Sequence, residues 1–373
     1  MKIGTLKLHP EEKRLLWHLR TRGPTPRIAL AAVLQASNAS LTKISQNLLN
    51  LGLIEELAPT DAKARGRPMV PLSISAGGGC AVGATVHKGV LEIALVDYAG
   101  GVISLTSEAV GAPDPTDFAR ILDRRINELS VQHRLLGTRF LGVGIALPGP
   151  SLSRDRDLWQ VVHELPGWRN VPLKPIFDDV LGFPAMLEND ANCAALAEYY
   201  LGGTIRRSFS AVVVLLGYGI GAGIIEDGRL AWGQVGAAGE IGALYPADRP
   251  RPTTLDLLST LQAAGCKIES VGHFDEITRG YEDAIESWLH RTAKLLEPTV
   301  SSAVAWFDPG EVILSSPLPR SLLVRLADKL NHGDVRWGLH RPRFDVQASE
   351  LGGSAIALGA ALLPIHASTE RGR

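Results

Sequence analysis

The sequence predicts an α/β protein in which a small helix-turn-helix head with a wing precedes a two-lobed α/β body. Three observations predict it. Residues 11–51 read as three short amphipathic helices separated by tight turns. From Cys80 the pattern changes to short apolar runs punctuated by glycine turns, as in β-hairpins. That strand, hairpin and glycine layout recurs about 130 residues further on, between helical stretches.

A chain of 373 residues is too long for one ordinary core. The pattern divides it into a head over 1–75, a first lobe over 76–190 and a second lobe over 191–349. A helix over 350–366 is expected to pack back on the first lobe. The composition, 45% hydrophobic and 21% charged, is that of a globular protein in water. No run of about 18 apolar residues suggests a membrane span, and residues 1–10 lack the apolar core of a secretion signal. Cys80, Cys193 and Cys266 are too scattered for a disulfide framework or a metal pair. A cytoplasmic location is therefore expected. The net charge of −1 conceals an asymmetry. Residues 1–75 carry 11 Lys and Arg against 5 Asp and Glu, and the remainder carries 27 against 34. A basic head on an acidic body suits a head that meets a polyanion.

In the head, Leu15, Leu16 and Leu19 stripe a helix over 11–22 that Gly23 and Pro24 end. A second helix spans 26–35, with Thr25 as N-cap and Pro26 at its first position. Gln35 stands where such turns usually carry glycine, at a cost of about 1 kcal/mol if its φ must be positive. A third helix spans 39–51, with Leu41, Ile44, Leu48 and Leu51 on one face and Gly52 beyond its end. Its other face offers Ser40, Thr42, Lys43, Gln46 and Asn47 and no glutamate, a set suited to base edges and phosphates. Strands over 53–56 and 70–74 flank a loop carrying Arg65 and Arg67, a wing able to touch the DNA backbone or minor groove. The alternative for this segment is a three-helix protein-interaction domain.

The body carries five motifs in order: LGVGIALPGP over 141–150, ELPGWRNVPL over 164–173, LENDAN over 187–192, GYGIGAGII over 217–225 and AAGEIG over 237–242. Together they resemble the ROK family of repressors, open reading frames and kinases. The resemblance implies the actin-like, or ribonuclease-H-like, ATPase fold, and the head stands where the family's repressors carry theirs.

The family's kinases hold ATP·Mg on an Asp-x-Gly-Gly-Thr turn, a Gly-Thr-Gly-x-Gly turn and a glycine-rich turn near the base. Here the first becomes Gly83 to Gly89 without the Asp or paired glycines. Tyr218 replaces the Thr of the second. The third reads Leu314-Ser315-Ser316-Pro317. Phosphoryl transfer rests on positioning and charge neutralisation, so no catalytic residues and no useful kinase activity are expected. The family's zinc needs a His where Ala243 stands and cysteines that residues 244–265 lack. No metal or other cofactor is expected. The sugar side is retained in part, since the lost His also removes one sugar hydrogen bond that the resemblance implies. Asp190 matches the family's catalytic Asp, and Asn189 and Glu240 match its sugar contacts. Asp256 is a looser candidate for a further acidic contact. Asn189 or Asp190 also suits a helix N-cap, and Tyr218, Trp168 and His163 are candidates to line a cleft between the lobes, though an aromatic there is more often core.

The expectation is a transcriptional regulator of carbohydrate genes that binds a double-stranded DNA operator as a homodimer or homotetramer and responds to a sugar-like effector. The alternatives are an active sugar kinase and a regulator governed by a protein partner.

Overall fold

The computed structural model describes residues 2–3, 6–59, 69–153, 155–161, 165–271, 274–332 and 345–369. After a short strand, β1 (Lys2–Ile3), come helices α1 (Pro10–Arg22), α2 (Arg27–Leu34) and α3 (Asn38–Asn50). Strand β2 (Thr25–Pro26) precedes α2, and β3 (Ile54–Glu56) and β4 (Pro71–Ile74) follow α3. These three strands form an antiparallel sheet in the order β2-β4-β3. Leu15, Leu16, Leu30, Leu41, Leu48 and Leu72 bury their side chains together, as the helical stripes require.

Local chemistry sets the helix ends. Glu12 reaches back to the His9 N–H at 2.8 Å and closes α1's capping box. Ser37 caps α3 by accepting from the Ser40 N–H. Gln35 sits at φ 53°, the left-handed conformation that its position demands. Gly52, at φ 70°, lies beyond α3. The expected Thr25 cap is corrected. Thr25 and Pro26 pair with Leu72 and Pro71. This pairing holds both residues extended, so α2 starts at Arg27 with no side-chain cap.

Next come β5 (Cys80–His87), β6 (Val90–Asp97), β7 (Val102–Ala109), α4 (Pro115–Gln132), β8 (Arg139–Leu147), α5 (Leu173–Leu181) and β9 (Ala185–Asn189). Strands β5, β6 and β7 are antiparallel neighbours, β8 runs parallel to β5, and both β9 and β1 pair with β8. Asp114 caps α4 through the N–H groups of Thr116 and Asp117. Phe118 packs edge to face against both Trp168 and Phe177, and Trp168 is fully buried. Of the two readings of Trp168, core residue and cleft wall, burial selects the first. Its indole N–H is satisfied by the Pro113 carbonyl at 2.8 Å.

The remaining elements are α6 (Asp190–Tyr200), α7 (Thr204–Arg207), β10 (Ala211–Leu216), β11 (Ile220–Glu226), β12 (Arg229–Leu230), α8 (Thr254–Ala263), α9 (Phe274–Ile277), α10 (Glu282–Phe307), β13 (Glu311–Ser315), α11 (Arg320–Asn331), β14 (Val346–Ala348) and α12 (Ala355–Thr369). Their sheet runs β12-β11-β10-β13-β14, with β10, β13 and β14 parallel and β11 and β12 antiparallel. The order repeats that of the first sheet, so the recurrence in the sequence is a recurrence of topology. Leu257, Leu261, Trp288, Leu296 and Leu326 cover this sheet.

By packing, the chain divides into two units. One is Met1–Ala146 with Val162–Glu188 and Ala360–Arg373; the other is Leu147–Val161 with Asn189–Gly359. The head thus shares a unit with the first sheet, and the loop after β8 belongs with the second. Among the described residues, no helix is long and apolar enough to cross a membrane.

Helix α6 lies tightly on β11. A Cβ added at Gly223 would stand 2.4 Å from the Ala191 carbonyl oxygen and 2.4 Å from the Ala195 Cβ. Gly223→Ala is expected to push α6 off the sheet and cost about 1–3 kcal/mol. A urea titration of the variant beside the parent checks this through a lowered midpoint at unchanged slope.

Candidate functional site

The candidate ligand residues gather where β9 passes into α6. Asn189 caps α6: its Oδ1 accepts the N–H groups of Ala191 at 2.9 Å and Asn192 at 3.2 Å. Its Nδ2 then points away from the helix, donating to the Gly149 carbonyl at 3.1 Å and to Glu240 Oε1 at 3.4 Å. The cap reading of Asn189 holds, and the Nδ2 end of the same amide meets the candidate Glu240. Asp190 follows at the helix's first position, half-buried, with Oδ1 accepting from its neighbour Ala191 at 2.8 Å.

Glu240 arrives from a distant loop because that loop is bound to the sheet. Gly239 takes φ 88° and its carbonyl accepts the Ala222 N–H of β11 at 2.8 Å. A Cβ there would sit 1.8 Å from the Ala222 oxygen, so no side chain fits. Beyond Glu240, Arg251 Nη2 donates to the Gly242 carbonyl at 2.9 Å, and Tyr245 is anchored by Thr299 of α10 at 2.5 Å. Nearby, Gly236 lies against Ser151 and Arg156. The Arg156 guanidinium stacks over Trp232 at 4.9 Å and Trp159 at 5.4 Å. Sequence reasoning missed Arg156 and Trp232, because neither lies in a family motif and their loops meet only after folding.

Burial raises the carboxyl of Asp190 to about 7, and the nearby Glu240 carboxylate adds to the rise. Burial raises Glu240 as well. A pair of carboxylates with an amide beside it can accept from vicinal hydroxyls and donate one proton back. Further along α6, Glu198 is also raised to about 7 by burial and accepts from Ser349.

The other predicted positions fall elsewhere. Asp256 does not join the cluster: its carboxylate is held by Arg291 Nη2 at 2.7 Å, where α8 meets α10. The spacing of Asp256 matched the family loosely, and an ion pair within the helical layer claims it. Tyr218 sits in the β10–β11 hairpin, partly buried against the core. In that hairpin the Gly217 N–H donates to the Gly219 carbonyl, and Ser316 Oγ donates to the Leu216 carbonyl at 2.6 Å. His163 lies outside the described residues.

On the head, Ser40, Thr42, Lys43, Gln46 and Asn47 are all exposed on α3. Three of them are partly committed: Asn47 Nδ2 donates to Glu12 Oε1 at 2.5 Å, Gln46 Nε2 to Asn50 at 3.0 Å and Thr42 Oγ1 to the Asn38 carbonyl at 2.8 Å. Arg65 and Arg67 lie outside the described residues.

The raised Asp190 carboxyl carries a signed pH consequence. The folded protein holds this proton from its ordinary value of 3.8 up to about 7, so stability falls as pH rises through that window. Asp190→Asn keeps an oxygen for the Ala191 N–H and removes the charge. It is expected to stabilise the protein at pH 8 by on the order of 1–2 kcal/mol, allowing for solvent screening, and by little at pH 4. Glu198 still titrates in the same window, so the pH slope of melting is expected to shrink without vanishing. Thermal melts of both proteins across pH 4–8 check this.

Comparison with known proteins places this geometry. The profile of the ROK family matches residues 79–367. The chain is 28% identical to the protein y4fQ of Sinorhizobium fredii over 96% of its own length and 91% of that protein. It is 26% identical to the DNA-binding transcriptional repressor Mlc of Escherichia coli, over 59% of this chain and 54% of Mlc. In structure it is similar to a ROK-family transcriptional regulator, a homolog of Escherichia coli Mlc, with TM-score 0.73 at 22% identity over 96% of each chain. It is also similar to a ROK-family glucokinase from Streptomyces griseus, with TM-score 0.60 at 24% identity over 76% of this chain and 99% of that one. The paired sheets are thus the actin-like fold of these proteins, and the chain belongs to the ROK family.

Proposed function

We propose that this chain is a DNA-binding transcriptional regulator of carbohydrate genes whose head is a winged helix-turn-helix. The observation that carries the reading is the exposed face of α3. It offers hydroxyls, an amide and the Lys43 ammonium, with no acidic residue on the helix. Helix α2 and the β2-β4-β3 sheet flank it, as in a reading helix with a wing. The wing would be the 60–68 loop with Arg65 and Arg67. The family profile begins only at residue 79, and Mlc, whose matched part is about half its length, is itself a DNA-binding repressor.

The effector in this reading is a sugar held by Asn189, Asp190 and Glu240. Its binding would shift the population of conformers that grip the operator. Two heads in a homodimer, or four in a tetramer, would meet paired half-sites. Glucokinases among the structural relatives favour a kinase as the second reading. Against it stand Tyr218 in the hairpin that would cradle phosphate and a Gly217 N–H already spent on Gly219. A coupled assay with ATP and D-glucose is expected to show no turnover above background.

Fluorescence anisotropy of the full chain on a mixed-sequence duplex tests the head. Binding is expected to fall steeply with salt, and Lys43→Ala to weaken it and lower the log–log salt slope by about 1. Absence of binding at low salt would sink the reading. For the effector, thermal shift against D-glucose, D-xylose and other monosaccharides is expected to find one that stabilises the parent, by about 2.7 kcal/mol at 100 times its Kd. Asn189→Ala should abolish that shift. A panel without any shift, beside intact DNA binding, would transfer control to a protein partner.

A further inference from the structure

We infer that the head does not swing on a tether: Arg139 and the Arg20–Tyr98 pair lock α3 onto the first sheet, so these residues set how two heads are spaced on DNA. The inference rests on the DNA-binding reading of α3 for its consequence, although the lock itself is independent of it.

The chain between head and body reads Ala76-Gly77-Gly78-Gly79, a run that would ordinarily serve as a hinge. Here it is packed. Residues Ala76–Gly78 form a 3₁₀ turn, and Gly78 is buried. A Cβ on Gly78 would fall 2.6 Å from Tyr98 Cδ1, and one on Gly79 would fall 2.9 Å from the Arg139 carbonyl oxygen. Gly78 and Gly79 provide close approach to the sheet rather than freedom, while Ala76 and Gly77 are exposed.

Two arginines complete the lock. Arg139, at the start of β8, places Nη1 3.0 Å from the Leu51 carbonyl, which ends α3, and 2.7 Å from the Gly78 carbonyl. One cationic donor thus joins the reading helix, the connecting turn and the sheet. A cation at a helix C-terminus also meets the negative end of its dipole. Arg20 of α1 is only 7% exposed. Its Nη2 donates to the Tyr98 carbonyl at 2.8 Å, and its guanidinium lies 4.6 Å over the Tyr98 ring. Tyr98 comes from the β6–β7 turn, is fully buried, and belongs to the same apolar cluster as Leu15, Leu16 and Leu48 of the head. The core of the head therefore continues into the body.

The chain before α1 is tied as well. Lys2 and Ile3 pair in parallel with Arg139 and Phe140, so the head is held at both of its ends. Trp17 of α1 stands edge-on to His366 of α12, with ring centroids 6.4 Å apart. Asn47 of α3 bonds Glu12 of α1, so α1 and α3 move together. A signal can then reach DNA by moving heads with their sheets, not by letting them loose.

The test combines two measurements on the full chain. Sequence selection from a random duplex library reads head spacing. The parent is expected to enrich paired half-sites at one separation. Arg20→Met/Arg139→Met is expected to keep the half-site sequence and lose the preferred separation, which a merely destabilised head would not do. Distance distributions between spin labels on Asn38→Cys of α3 and Gln132→Cys of α4, both exposed, read the lock directly. The three native cysteines are buried and do not compete for label. A narrow distribution in the parent and a broad one in the double variant are expected. Arg139→Gln, a milder change, gives an intermediate width if the double variant fails to fold. An equally narrow distribution in a folded variant, or a broad one in the parent, overturns the lock. Unchanged separation in the variant's selected sites overturns its role in spacing. Failure of the parent to enrich any sequence strikes the DNA-binding reading instead, and the distance measurement still decides the lock.

Discussion

The site depends on how one amide caps one helix. The start of α6 leaves N–H groups without intrahelical partners, and burial forbids water from satisfying them all. Asn189 accepts from two of them with Oδ1 and thereby fixes its own Nδ2. That nitrogen then holds Gly149 and Glu240, which come from the loop after β8 and the loop after β12. An aspartate would cap α6 equally well but would meet Glu240 with a second negative charge. The amide serves both sides because it is acceptor at one end and donor at the other.

The same packing keeps two acids half-buried beside that cap. Their raised carboxyls are a cost to folding near neutrality, and a ligand offering hydroxyl donors would offset it. In the β10–β11 turn the Gly217 N–H is satisfied by Gly219 and the Leu216 carbonyl by Ser316, with Tyr218 partly buried against the core.

The head follows a second constraint. A glycine run that could swing is held by buried aromatic area and by arginines whose charges would be costly to strand. Arg20 and Arg139 both spend donors on backbone carbonyls, which exist whatever the side chains are. Among the described residues, these carbonyl contacts orient α3 with no ion pair to either arginine.

Much of this was legible in the chain alone. Leucine stripes define α1 to α3, glycine turns define the hairpins, and the LENDAN and AAGEIG motifs pick out Asn189, Asp190 and Glu240, because those are decided by local periodicity and by residue identity. Thr25, Trp168, Asp256 and Asn47 show the limit. Each has a local chemistry that admits a cap, a cleft wall, an acidic contact or a base reader. The structure gives these residues a strand partner in Leu72, an aromatic core, Arg291 and Glu12. Such choices belong to tertiary structure because the deciding partner lies far off in sequence. Propensity and pattern determine which elements form and which chemistries are on offer. Only packing decides which of them are already taken.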